Sequence, residues 1–230
     1  MGLGKALKGK NDKQIQKPEQ SEIEKGKPVE IAFVLDRSSS MDCYAKEAIK
    51  GFNQFVKDQQ GQSGEANMGL RQFNEKCSTT YDNVPIADVK KLTGRTFSPS
   101  GCTAIYDAVG HTISEVMTRQ SNTPQQDRPS HTLVVILTDG DENSSRAYNQ
   151  HTVQQMVSRA REVFGWEFIL IGVGVDAQGI AVKLGIDKRK ALEMPADARG
   201  MLDSMQTVSD VTTGFRETGV APLLTGRKGR

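Results

Sequence analysis

The stretch Ile31-Ala32-Phe33-Val34-Leu35-Asp36-Arg37-Ser38-Ser39-Ser40 decides the fold. Its first five residues are apolar without interruption, the pattern of a strand buried on both faces rather than one wet on one side. An acid and three serines follow at once, so the strand ends in a polar loop. A helix is predicted from near Met41, because Ala45, Ala48, Ile49, Phe52 and Val56 recur with a period of about 3.6 residues. Ser39 and Asp42 stand at its start with the spacing of a capping box.

The same unit recurs further along. Leu133-Val134-Val135-Ile136-Leu137 is a second continuous apolar run, closed by Thr138-Asp139-Gly140 and followed by a helical face of Val153, Met156, Val157, Ala160 and Val163. A third strand is predicted over Phe168–Val175, then a short helix around Ile180, Ala181 and Leu184 and a last one through Met201, Leu202, Met205, Val208 and Phe215. Between the first two units, 66–84 alternates and then turns Thr- and Tyr-rich around Asn74-Glu75, which predicts an antiparallel hairpin at a sheet edge. A further helix carries Ile105, Ala108, Val109, Ile113, Val116 and Met117 on one face. Strands alternating with helices give an α/β, doubly wound, mostly parallel sheet with helices on both faces.

The 230 residues suit one such domain with short tails. We expect a flexible basic N-terminal arm over 1–27, the domain over 28–217 and a flexible basic C-terminal tail over 218–230. The formal net charge is only +2, because basic tails offset a mildly acidic middle. The tail lysines are not interleaved with aromatic residues, so no stacking platform for single-stranded nucleic acid is present, and nucleic acid is not the expected partner. No apolar run approaches the roughly 18 residues of a membrane span, no signal-peptide pattern is seen, and a cytoplasmic location is expected. The three cysteines, Cys43, Cys77 and Cys102, are odd in number and lack a CxxC spacing. That argues against a disulfide framework or zinc site; buried, inert thiols are expected at Cys43 and Cys102.

In an open α/β sheet, ligands bind at the carboxyl ends of the strands. Asp36, Ser38 and Ser40 lie there, as does Asp139, and Thr103 just before a helix can open onto the same edge. Each offers oxygen, which suits a hard divalent cation: Mg²⁺ first, Mn²⁺ or Ca²⁺ as alternatives. Two carboxylates only balance the ion, and the hydroxyls add no charge. Such a site can accept a further carboxylate, unlike an acid-rich cage that sequesters metal. Alone, Asp36 with Ser38 and Ser40 would read as a helix cap and polar loop, and Asp139-Gly140 as a turn. Asp141 and Glu142 read as solvated rim charges, the histidines as surface or satisfied residues, and Trp166 as core.

The runs IAFVLDRSSSM, PSGCTAIYDAV and VVILTDGDEN resemble the three motif blocks of von Willebrand factor A domains, and WEFILIGVGVDAQGIAVKLGI resembles a later strand–helix unit of small bacterial and phage members. The resemblance spans about 28–217. It implies six strands, one of them an antiparallel edge strand, and a metal-ion-dependent adhesion site. There Ser38, Ser40 and Thr103 would bind the ion directly, and Asp36 and Asp139 directly or through water. Ser39 stands where many members have Gly. The implied function is non-enzymatic: the ion coordinates an Asp or Glu of a partner protein. AAA+ ATPases and stress- or phage-system proteins are the associates of intracellular bacterial members. The competing reading is a metal-dependent phosphoesterase or phosphoryl-transfer enzyme with Asp36 as nucleophile. Its usual second Asp two residues on is replaced here by Ser38, and no general base is visible.

Overall fold

The computed structural model describes residues 26–224. The N-terminal arm expected over 1–27 therefore lies almost wholly outside the described residues, as does the tail beyond Leu224. Six strands form one sheet: β1 (Val29–Asp36), β2 (Ala66–Phe73), β3 (Cys77–Pro85), β4 (Thr132–Thr138), β5 (Glu167–Val173) and β6 (Ala191–Met194). Their spatial order is β3-β2-β1-β4-β5-β6, and only the β2–β3 pair is antiparallel. The predicted hairpin and mostly parallel sheet are both present, with β3 as the antiparallel edge. Five helices cover the sheet: α1 (Ala45–Gln60), α2 (Ile105–Asn122), α3 (Gln150–Phe164), α4 (Ala177–Leu184) and α5 (Ala198–Thr218).

Period-two alternation within the apolar strands explains the layering. In β1, Ile31, Phe33 and Leu35 join the core under α1 and α5, whereas Ala32 and Val34 join the core under α2, α3 and α4. Each strand therefore needs apolar residues on both faces, which is why the sequence shows unbroken runs. On the first side Phe33 meets Phe52 and Phe55 edge to face, at centroid distances of 5.7 and 5.6 Å. Trp166 is buried on the second side.

Two buried charges cross-link the far side. Arg71 on β2 is fully buried and donates to Glu115 at 2.8 Å and Asp82 at 3.4 Å. Glu30 on β1 is also fully buried, pairs with Arg119, and accepts from Gln120 at 2.9 Å.

Several local expectations are corrected. A 3-10 turn over Ser39–Tyr44 precedes α1, and its capping position carries no side-chain cap bond, so the Ser39/Asp42 spacing does not make a capping box. The short strand β6 carries no strand signal in the sequence, because Glu193 interrupts its apolar pattern at an outer edge. The chain also stays on the core past the tail start expected at 218: Ala221 and Leu224 are buried, and the Leu224 N–H donates to Arg189 O at 2.7 Å. These two apolar residues give the segment something to bury, which its Gly, Lys and Arg content hides. Cys43 and Cys102 are exposed rather than buried, because one lies in the 3-10 turn after β1 and the other in the loop before α2, outside the packed strands; only Cys77 is partly buried, and burial pushes its thiol up to about 11.

Candidate functional site

The strand order places a topological switch point between β1 and β4: β2 and β3 extend the sheet to one side of β1, β5 and β6 to the other side of β4. Connections leave these neighbours in opposite directions, opening a crevice at their carboxyl ends. Asp36 is the last residue of β1, and Asp139 follows the last residue of β4. Their proximity is thus fixed by sheet topology.

Each side chain is held differently. Asp36 is fully buried; its Oδ1 accepts the Ser38 N–H at 2.7 Å and its Oδ2 accepts the Thr138 hydroxyl at 2.5 Å. Both oxygens are therefore engaged by the protein, a geometry for an acid that organises a loop more than for an exposed nucleophile. Ser38 Oγ lies 3.1 Å from Ser40 Oγ, and Ser40 Oγ donates to Asp139 Oδ1 at 2.7 Å. The first loop and the β4 end are thus joined by a chain of oxygens. Thr103 closes the third side. The Ser39 N–H donates to Gly101 O at 3.0 Å and the Ser100 N–H to Arg37 O at 2.8 Å, which seats the 100–103 loop against the serine loop. A Cβ added at Gly140 would stand 2.8 Å from Thr103 Oγ1, so the hydroxyl lies against the backbone just after Asp139. All five residues selected from sequence are brought to one place.

The fold treats the two carboxylates of this cluster alike. Burial is the main cause raising the Asp36 pKa, against the opposing bonds from Thr138 and Ser38. Asp139 is pushed up to about 6, first by burial and also by the Asp36 charge, while its bond from Ser40 pulls the other way. Two desolvated carboxylates facing each other disfavour their own ionisation. A cation between them would reverse that. The donor set fits a hard divalent ion: hydroxyls and carboxylates, with no nitrogen or sulfur among them. Among the described residues no group of three or more His, Cys, Asp or Glu could hold a metal.

Several supporting residues escaped the sequence reading. Thr138 fixes Asp36. Asn74 donates its amide to Ser100 O at 2.8 Å, and Glu75 Oε2 accepts the Cys102 N–H at 3.0 Å, so the β2–β3 turn carries the 100–103 loop. Asn143 Oδ1 accepts the Thr103 N–H at 2.8 Å. Glu142 is half-buried and is no rim charge: it accepts from Tyr106 N at 3.0 Å, capping the start of α2, and from Ser144 N and Ser145 N at 2.9 and 2.7 Å. A negative charge there also suits the helix dipole. Asp107 accepts three successive backbone N–H groups, from Arg146, Ala147 and Tyr148. Only acids shortly after the Asp139 strand end and near a helix start hinted at such capping. Asp141 remains exposed, as expected.

A family model described as von Willebrand factor type A domain matches residues 30–200. No curated protein matches the chain by sequence. Among solved structures, proximal thread matrix protein 1 from the mussel byssus is similar at 18% identity and a TM-score of 0.59, over 83% of this chain and 47% of that one. The same mussel protein is also known with a zinc-occupied MIDAS motif, at 18% identity and a TM-score of 0.56, over 81% of this chain and 46% of that one. The vWF domain of the type V pilus tip protein Mfa5 from Porphyromonas gingivalis is similar at 10% identity and a TM-score of 0.60, over 85% of this chain and 98% of that one. The chain thus spans under half the length of the mussel protein. At these identities the likeness concerns the fold alone.

Proposed function

Because the chain belongs to the von Willebrand factor type A family, we propose that it is a metal-dependent protein-binding module. In this reading a divalent cation, Mg²⁺ in the first instance, is held by Ser38, Ser40 and Thr103 directly and by Asp36 and Asp139 directly or through water, and it takes a carboxylate from an Asp or Glu of a partner protein as a further ligand. One observation carries the reading: Ser38, Ser40 and Asp139 form a continuous chain of oxygens with spacings of 3.1 and 2.7 Å, although Ser40 and Asp139 are 99 residues apart in sequence.

The protein's own groups divide the work. Asp36, locked by Thr138 and the Ser38 N–H, shapes the loop that presents the serines. Ser40 and Asp139 stand at the open side, where a partner can approach. Because only two acids contribute, the loaded site keeps room for incoming negative charge, whereas three or four acids would repel it. Zinc in the corresponding motif of the mussel protein supports a divalent ion without selecting among metals; the all-oxygen donor set favours Mg²⁺, then Mn²⁺ or Ca²⁺.

A cytoplasmic location is part of the proposal. It is supported by Cys43 and Cys102, which are exposed and unpaired with each other, a state suited to a reducing compartment. No helix among the described residues is long and apolar enough to cross a membrane. An AAA+ ATPase or a stress- or phage-system protein is the proposed kind of partner.

The test is capture of partners in Mg²⁺, in EDTA, and with Asp36→Ala in Mg²⁺. The reading expects a protein retained only by the wild type in Mg²⁺. Partners retained equally in all three conditions would move binding elsewhere on the molecule. Metal titration to millimolar concentration, comparing wild type with a Ser38→Ala/Asp139→Ala variant, tests the ion directly; identical null responses would sink the site.

A further inference from the structure

We propose that Asn143 is a positioning residue for this site, holding Thr103 in register with Asp139 through a two-point backbone clamp. The inference rests on the metal-binding reading above and gives a role to Asn143, the last residue of the VVILTDGDEN run, which is not among the five ligand candidates. The Thr103 N–H donates to Asn143 Oδ1 at 2.8 Å, and the Asn143 N–H donates to Thr103 O at 2.9 Å. Both bonds join the same two residues. Together they hold the peptide groups on both sides of the Thr103 α-carbon rather than leaving the residue to pivot about one.

What the clamp joins is the reason for assigning it a role. Thr103 precedes α2, and Asn143 lies four residues past Asp139 in the loop leaving β4. Without a tie, the Thr103 hydroxyl and the Asp139 carboxylate would ride on separate segments. The neighbouring bonds do other work: Glu142 and Ser145 cap the N–H groups of Tyr106 and Asp107, and Asn74 O accepts the Ala104 N–H at 3.0 Å. The Asn74 bond steadies the Thr103–Ala104 peptide from its other edge, but none of these bonds takes the Thr103 N–H. Gly140 completes the fit, since its α-carbon lies where any side chain would crowd Thr103 Oγ1. Thr103 is thereby gripped along its backbone by Asn143 while its hydroxyl lies against Gly140.

Asn143 is itself exposed, so truncating its side chain leaves no cavity in the core. A loss of metal affinity on replacement would therefore reflect geometry rather than unfolding. Residues that orient a metal ligand typically contribute about 10- to 100-fold in affinity. The lower end, about 10-fold, is expected here, because water can reach the N–H once the side chain is removed.

The experiment measures Mn²⁺ and Mg²⁺ affinity of the full chain by calorimetry, for wild type, Asp139→Ala, Asn143→Ala, Asn143→Asp, Thr103→Ala and the Asn143→Ala/Thr103→Ala double variant, with thermal melts in EDTA alongside. Asn143→Ala should bind about 10-fold more weakly with an unchanged melt. Asn143→Asp keeps the acceptor and should retain protection of the Thr103 amide against hydrogen exchange, which Asn143→Ala loses. In the Thr103→Ala background, Asn143→Ala should cost nothing further, because residues acting through one group are not additive. If wild type binds metal, Asp139→Ala does not, and Asn143→Ala binds like wild type, the clamp is refuted and the site stands. A full additional loss in the Thr103→Ala background refutes it too, since Asn143 would then act by another route. If wild type itself binds no metal, both the site and the clamp fall.

Discussion

Asp139 shows at the scale of one residue how burial and a neighbouring carboxylate act on a single acid. Its carboxyl is pushed from an ordinary 3.8 up to about 6 by burial and by Asp36. Between those values the folded protein binds more protons than the unfolded chain, so stability falls as pH rises. In EDTA, the wild-type denaturation midpoint should therefore drop relative to Asp139→Asn as pH climbs from about 4 to about 6, and the difference should level off above. A difference that stayed constant across that window would contradict the burial assigned to Asp139. Gly140 gives a second prediction at this scale. An added methyl would sit 2.8 Å from Thr103 Oγ1, so Gly140→Ala should weaken Mg²⁺ binding about 10-fold or more, as read by titration. The residues picked from sequence were legible because each lies directly beside a strand end or helix start. Thr138, Asn74 and Asn143 were not, because their roles arise from bonds between segments distant in sequence, and Thr, Asn and Glu carry no local pattern that announces such bonds.

Elements were legible where both faces of a strand are apolar and opaque where one face meets water or the edge. The β1 and β4 runs announce themselves; β6, four residues long with Glu193 in it, does not. The pairing of α1 with α5 depends on a similar unannounced detail. Gly51 is mid-helix, where Gly normally costs about 1 kcal/mol relative to Ala. A Cβ there would meet Met205 Cγ at 2.6 Å and Cβ at 2.7 Å. The clash involves an atom near the α5 backbone, which cannot swing aside like a side-chain tip. Overpacking of this kind costs about 1–3 kcal/mol, enough to cancel or exceed the propensity gain. Gly51→Ala should thus be neutral to destabilising in wild type and less costly in a Met205→Ala background, which removes the Cγ contact but keeps the Cβ contact, and chemical denaturation of the four proteins reads that difference. On the opposite face, Arg119→Ala would leave the buried Glu30 without its cationic partner. About 3 kcal/mol should be lost; a loss below about 1 kcal/mol would mean that Gln120 and Thr132 suffice to hold that corner.

At the scale of the whole molecule, the site draws on three connections at once: the loop after β1, the 100–103 loop carried by the β2–β3 turn, and the segment leaving β4. An ion held by all three exists only when β1 and β4 are paired and α2 is docked, so it should bind the native state and not the unfolded chain. Its effect is then set by mass action: at a concentration one hundred times Kd it adds about 2.7 kcal/mol. For a domain of this size each kcal/mol moves the midpoint by about 2–4 °C, so saturation should raise Tm by about 5–10 °C. The rise should grow logarithmically with Mg²⁺ once past Kd, should be abolished by Asp139→Ala, and should appear identically in far-UV circular dichroism and in the fluorescence of the buried Trp166. Circular dichroism reports the backbone as a whole, whereas Trp166 packs below the sheet with Phe168, away from the proposed ion. A shift confined to one probe would mean that the ion stabilises a local loop alone, and the three-segment account of the site would fail.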